Sequence, residues 1–206
     1  MTTKLTIPAM TWLISAACAL NLGPPQNAAQ NQLPSGTLFS EEELSKGFNT
    51  HQFTPYGDPK FGLEILVPNG WESHLSDVDP GQLSHDTAAP VPMIEFYPNG
   101  ADDLGVNVQY MRVPGEKPVS TFVDEYIKKA NGTLAARQQL DLQGRKVEDV
   151  LMKTNDDSLG PLLNRVMAFR RGDIIFISTA WGVEEKYEKY KKVFAVVLAS
   201  FNPTGK

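Results

Sequence analysis

The sequence predicts an α+β domain, an antiparallel β-sheet flanked by helices. Three observations carry that expectation. Apolar and polar residues alternate through segments of strand length. Short Gly- and Asn-containing turns join several of those segments, and only two longer stretches carry the apolar spacing of an amphipathic helix. Strands in runs, rather than in strict alternation with helices, favour an antiparallel sheet covered by helices over a parallel α/β fold. The chain has 206 residues, 41% of them hydrophobic and 21% charged. This suffices for one well-buried core and excludes collagen, coiled-coil and wholly disordered chains.

Met1–Lys4 carries one positive charge, and Leu5–Leu20 then runs without a charged residue. A basic start before a short apolar stretch is the layout of a secretory signal peptide, here over residues 1–19, and it is short for a spanning helix. The sole cysteine, Cys18, closes Leu13-Ile14-Ser15-Ala16-Ala17-Cys18. This stretch resembles a bacterial lipobox, except that Ser15 stands where an aliphatic residue is usual. In that reading Cys18 is lipidated. The competing cut uses Ala17-Cys18-Ala19 and releases a protein that begins at Leu20. Either removes Lys4 and takes the formal charge from −5 to −6. Residues 20–38 are rich in Pro, Gly, Asn and Gln and carry no charge, so they read as a flexible linker. Residues 39–206 read as a single domain.

Ser40-Glu41-Glu42-Glu43 is a capping box opening a short helix that ends near Gly47. Phe61, Leu63, Ile65 and Val67 alternate as a strand, and Pro68-Asn69-Gly70 turns the chain into Trp71. Met93–Tyr97 is a short apolar run. Leu104, Val106, Val108 and Tyr110 face one way and Asn107 and Gln109 the other, the pattern of a half-buried antiparallel strand. Ser120 is expected to cap a helix with Phe122, Val123, Tyr126 and Ile127 on its apolar stripe, ended by Asn131-Gly132. Strands are expected at Thr133–Leu142, Lys146–Met152, Leu162–Arg170 and Ile174–Trp181. Arg171-Gly172-Asp173 spells an adhesion tripeptide, but between two apolar strands it is more simply a hairpin turn. A closing helix from Val183 to Phe201 buries Tyr187, Tyr190, Phe194, Val197 and Leu198, with Glu185→Lys189 and Glu188→Lys192 paired on its wet face.

Tyr56-Gly57-Asp58-Pro59-Lys60-Phe61-Gly62-Leu63-Glu64-Ile65-Leu66-Val67-Pro68-Asn69-Gly70-Trp71 resembles the opening of a PsbP-like domain, where an extended strand ends in Pro, a turn and Trp. The helix after Pro118, the Asp141-Leu142-Gln143-Gly144 turn, the hairpin at Gly172 and the Ala199-Ser200-Phe201 close are similar too. The likeness spans about Phe53 to Phe201. It implies an antiparallel sheet sandwiched by helices and one of several non-catalytic roles. Among these are an extrinsic photosystem II subunit, envelope lipoproteins of the DcrB type, and chaperone-like adaptors. All act by binding a protein or membrane assembly, and the family has no shared catalytic residue to carry over.

The residues themselves say little about chemistry. A formal charge of −5, from 19 basic against 24 acidic residues, argues against nucleic acid or an anionic membrane as main partner. One cysteine rules out a disulfide framework and an all-cysteine metal site. No phosphate loop, dinucleotide fingerprint, His-Glu-x-x-His motif or nucleophile elbow occurs. The loop His74–Asp86 gathers His74, Asp77, Asp79, His85 and Asp86. Their imidazoles and carboxylates could hold a divalent metal if their tips converged, but nothing in the spacing enforces it, and an acidic solvated loop is the simpler reading. Any serine triad must use His51, His74 or His85, and neither Ser73 nor Ser84 lies in a nucleophile signature. Trp71 and Trp181, each at the end of a predicted strand, are half-buried core aromatics or anchors of a protein interface.

The expectation is an exported, lipid-anchored, non-catalytic domain without cofactor or metal. It would reside in the periplasm or cell envelope, or in the thylakoid lumen of a photosynthetic host, and bind another protein assembly there. The alternative is a periplasmic carrier of a small molecule or metal near His74–Asp86.

Overall fold

The computed structural model describes residues 39–77, 90–142 and 144–205. The predicted signal peptide, linker and Cys18 lie outside the described residues, as do Asp79, Ser84, His85 and Asp86. The elements run α1 (Glu41–Gly47), β1 (Phe48–Phe53), two 3-10 turns (Pro55–Gly57 and Pro59–Phe61), β2 (Leu63–Pro68), β3 (Trp71–Leu75), β4 (Val91–Pro98) and β5 (Leu104–Arg112). They continue with α2 (Val119–Lys129), β6 (Thr133–Leu142), β7 (Arg145–Asp156), β8 (Gly160–Arg171), β9 (Ile174–Val183), α3 (Glu184–Ser200) and β10 (Asn202–Pro203).

The strands form two antiparallel sheets, a three-stranded one in the order β1-β2-β10 and a seven-stranded one in the order β3-β4-β5-β9-β8-β7-β6. The α+β class and the antiparallel pairing agree with the sequence. The main core lies on one face of the large sheet, here the first face. Val106, Val108 and Tyr110 of β5 and Phe169 of β8 meet Phe194 and Val197 of α3, with Leu63, Ile65 and Val67 of the small sheet closing the layer. On the second face, Val150, Val166, Ala168 and Ile177 pack under Phe122 and Val123 of α2. The middles of β7, β8 and β9 are therefore buried on both sides. They carry apolar residues on both faces instead of alternating, as strands covered on both faces do, with Glu148, Asp149, Asn164 and Arg165 as the buried polar exceptions in β7 and β8.

Four local expectations change. Ser120 caps nothing: Pro118, at φ −57 and ψ 143, stands at the cap, and Ser120 lies in the first helical turn. Proline's fixed φ suits a helix entry without a side-chain cap. β1 is an additional strand. Four exposed polar residues separate its inward Phe48 and Phe53, so no apolar alternation marks it. β3 is additional as well, and it begins at Trp71 instead of a strand ending there. As an edge strand with four exposed residues it lacks an apolar stripe, and it places His74 in a strand, not a loop. On α3, Glu188 meets Lys191 at 2.7 Å, three residues on instead of four.

The end of α2 is as the sequence predicts. Asn131 adopts φ 49, the Gly132 amide donates to the Ile127 carbonyl at 2.9 Å, and the Asn131 amide donates to that of Lys128 at 3.1 Å. Both bonds belong to the motif in which a left-handed residue ends a helix. The Arg171-Gly172-Asp173 turn joins β8 to β9, with Gly172 at φ 61.

Candidate functional site

α2 covers the second face over β7 and β8. Beyond it, β5, β4 and β3 carry the sheet outward, and their second-face side chains are exposed or half-buried. Register fixes the neighbours. Trp181 on β9 lies opposite Gly105 on β5, and Asn107 opposite Glu95 on β4. Across the outer pair, Glu95 faces His74 and Tyr97 faces Glu72.

Gly105 shapes the inner part of this surface. A Cβ there would lie 3.3 Å from Cζ2 and Nε1 of Trp181 and 3.0 Å from the Phe96 carbonyl oxygen. The missing side chain thus lets the half-buried indole lie across the sheet. Farther out, the His74 and Tyr97 rings stack at 5.1 Å with planes 16° apart. His74 Nε2 stands 4.0 Å from a Glu72 carboxylate oxygen. Asn107 Oδ1 is buried and has no hydrogen-bond partner among the described residues. The second-face positions of β3, β4, β5 and β9 include no lysine or arginine. The result is a shelf of flat rings and hydrogen-bond acceptors, suited to contacting another molecule over an area.

The first face holds a different polar group inside the core. Arg165 on β8 and Asp149 on β7 are at most 1% exposed and bond twice, Nε to Oδ1 at 3.0 Å and Nη2 to Oδ2 at 2.8 Å. Gln138 on β6 donates to Oδ2 of the same carboxylate at 2.7 Å. Nearby, burial pushes the Tyr187 hydroxyl on α3 well above the ordinary phenol range. This cluster is sealed from solvent, so it bears on stability and specificity of packing rather than on a ligand. Neither it nor the shelf stood out in sequence. The inward turn of Asp149 and Arg165 is signalled only by their setting in apolar strands.

Of the residues singled out from sequence, Trp71 and Trp181 point to opposite faces. Trp71 is half-buried on the first face, edge-on to Tyr190 and Phe194 of α3 with both ring centroids at 6.2 Å. It belongs to the core margin, whereas Trp181 belongs to the shelf. His51 is exposed on β1 and stacks on Phe53. His74 is exposed on β3, and Asp77 is exposed just past it. Their proposed co-ligands His85 and Asp86 lie outside the described residues. Among those described, no three His, Cys, Asp or Glu side chains are grouped to hold a metal ion.

No protein-family model matches the chain, and no curated protein matches it in sequence. Solved structures match it in fold. The solution structure of cyanobacterial PsbP (CyanoP) from Synechocystis superposes with a TM-score of 0.56 at 17% identity, over 76% of this chain and 92% of that one. The chain has a PsbP-like fold. A Pseudomonas aeruginosa protein of unknown function gives a TM-score of 0.46 at 10% identity, over 77% of this chain and 99% of that one. The yeast Saccharomyces cerevisiae Ran-binding protein Mog1p also gives 0.46, at 12% identity, over 76% of this chain and 96% of that one. Those two scores are too low to carry weight. The PsbP-like fold agrees with the resemblance seen from Tyr56 to Trp71, whose strand and turn are β2 and the bend into β3. Fold alone assigns no activity, so function must be argued from surfaces such as the shelf.

Proposed function

We propose that this chain is an exported, lipid-anchored, non-catalytic protein whose PsbP-like part binds another protein assembly of the cell envelope or thylakoid lumen. The observation that carries this reading is the shelf itself. A half-buried Trp lies across the sheet beside the stacked rings of exposed His74 and half-buried Tyr97, and Trp and Tyr are among the residues most often energetic at protein interfaces. A sheet held on both faces elsewhere offers that surface with little ordering cost on binding. Cys18 and the residues after it would hold the domain near the membrane, raising its local concentration around a membrane-bound partner. Among the described residues no helix is long and apolar enough to cross a membrane.

In-cell cross-linking of a tagged copy, followed by mass spectrometry of the envelope complex, tests the docking role. One dominant protein partner is the expected result, and no specific partner at good expression would overturn it. The anchor has its own test. Cys18→Ser should move the protein from the membrane fraction to the soluble one, and retention in the membrane would refute lipidation.

A further inference from the structure

We infer that the shelf formed by the second face of β3, β4 and β5, with Trp181 of β9, receives a cationic, arginine- or lysine-bearing segment of a partner protein. This names the surface and the partner chemistry for the docking reading, and rests on it. Two features of the shelf converge. Glu72 and Glu95 place two carboxylates on exposed strand positions, with no lysine or arginine on the same face of these four strands. His74 lies opposite Glu95 and 4.0 Å from the Glu72 carboxylate, and a face with two carboxylates and no lysine or arginine attracts and orients the opposite charge.

The rings supply the second feature. The Trp181 indole over Gly105 and the Tyr97 ring beside His74 offer aromatic surface next to those carboxylates. A guanidinium or ammonium group bonds to a carboxylate and also stacks on, or sits over, a ring. A neutral or acidic segment could use the rings but would leave the carboxylates unpaired. Asn107 shares the Glu95 row, between Glu95 and Thr179, but its Oδ1 is buried and forms no part of the exposed surface. The shelf presents acceptors and π faces, and an arginine side chain presents five donors on a flat cation. A second copy of this chain would bring the same two carboxylates face to face, which like charges disfavour.

The test is a nuclear magnetic resonance titration of the isotopically labelled chain with three probes: a synthetic peptide alternating Arg and Gly, the same peptide with Glu for Arg, and maltohexaose. The expected result is saturable shifts at the Trp181 indole and at the Tyr97 and Asn107 amides with the Arg peptide alone, weakened by added salt. Glu72→Lys combined with Glu95→Lys should weaken that binding by about tenfold or more, since each contact turns from attraction to repulsion. Both positions are exposed, and a dispersed spectrum of the double variant verifies its fold. Shifts that miss this face, equal shifts with the Glu peptide, or an unchanged affinity in the double variant would overturn the inference. Equal shifts with maltohexaose would overturn it in favour of a glycan site. Failure here beside a cross-linked partner in cells would leave the docking reading standing on another surface. A missing partner in cells would remove that reading whatever the titration shows.

Discussion

Asp149 and Arg165 show how much a single residue's direction matters. Each sits in an apolar strand at a position facing the core, directly under α3, where an isolated charge would be costly to desolvate. Two bonds to one guanidinium and one from Gln138 satisfy the carboxylate. Removing one partner leaves a buried charge, so Arg165→Met should destabilise the fold by about 3–5 kcal/mol in denaturant melts. Asp149→Leu combined with Arg165→Met should recover most of that loss, because a matched apolar pair has no charge to desolvate. If the double variant is as unstable as the single one, the pair contributes more than its own neutralisation. Gly105 is the opposite case, a residue that matters by what it lacks. Gly105→Ala should crowd the indole at 3.3 Å and the Phe96 carbonyl at 3.0 Å. The measurable outcome is a changed Trp181 fluorescence with only a modest fall in stability. Neither feature can be read from composition. A sequence shows that Arg165 lies in a strand, but only the folded sheet shows that, opposite Leu151, it reaches diagonally to Asp149 opposite Met167.

Whole elements were legible where their signal is local. The Ser40 cap is an example: its hydroxyl accepts the Glu43 amide at 3.2 Å, and Glu43 accepts the Ser40 amide at 2.7 Å. The Ser40 amide foremost, and then the Ser40 hydroxyl, which donates to the same carboxylate at 2.9 Å, hold the Glu43 carboxyl below its ordinary range. A depressed folded value means the contribution is complete above the unfolded value, about 4.3, and is lost as pH falls through the folded one. Amide protection of α1 should therefore be flat from neutral pH to about pH 5 and fall in more acidic solution. Ser40→Ala should lower that protection by about fivefold at neutral pH and flatten its acid dependence. Unchanged exchange in that variant would show that contacts beyond the capping box hold α1. The elements that escaped the sequence lack such signals. β1 and β3 show mostly polar side chains because their exposed positions outnumber their buried ones. α2 enters through Pro118, and Ser120 two residues on is only a decoy for a cap. Its backbone carbonyl instead accepts Arg137 Nη2 at 3.1 Å, a bond from the neighbouring sheet that no local pattern announces.

At the scale of the molecule, the decisive feature is that the two apolar clusters share strands. Phe169 and Phe176 face α3 from the same β8 and β9 that send Ala168 and Ile177 under α2. The layout of strands and helices was legible because it depends on alternation and turns. The half-covered second face was not, since α2 could have crossed any part of the sheet, and its placement over β7 and β8 is decided by packing partners far apart in sequence. Shared strands also mean that neither layer has a sheet of its own to survive on. Loss of α2 exposes Val166 and Ile177, and loss of α3 exposes Phe169 and Phe176, each within the same hydrogen-bonded ladder. Unfolding should consequently be one cooperative transition. Trp71 against α3 and Trp181 on the opposite face are reporters for the two sides. With Trp12→Phe in the background, Trp71→Phe leaves Trp181 to report the second face, and Trp181→Phe leaves Trp71 to report the first. In urea, each variant's fluorescence midpoint should coincide with the midpoint of its own far-ultraviolet circular dichroism. A fluorescence transition that precedes loss of circular dichroism in one variant only would mean that its layer detaches while the sheet persists. The two faces would then be separate cooperative units, and a partner bound to the shelf would stabilise only one of them.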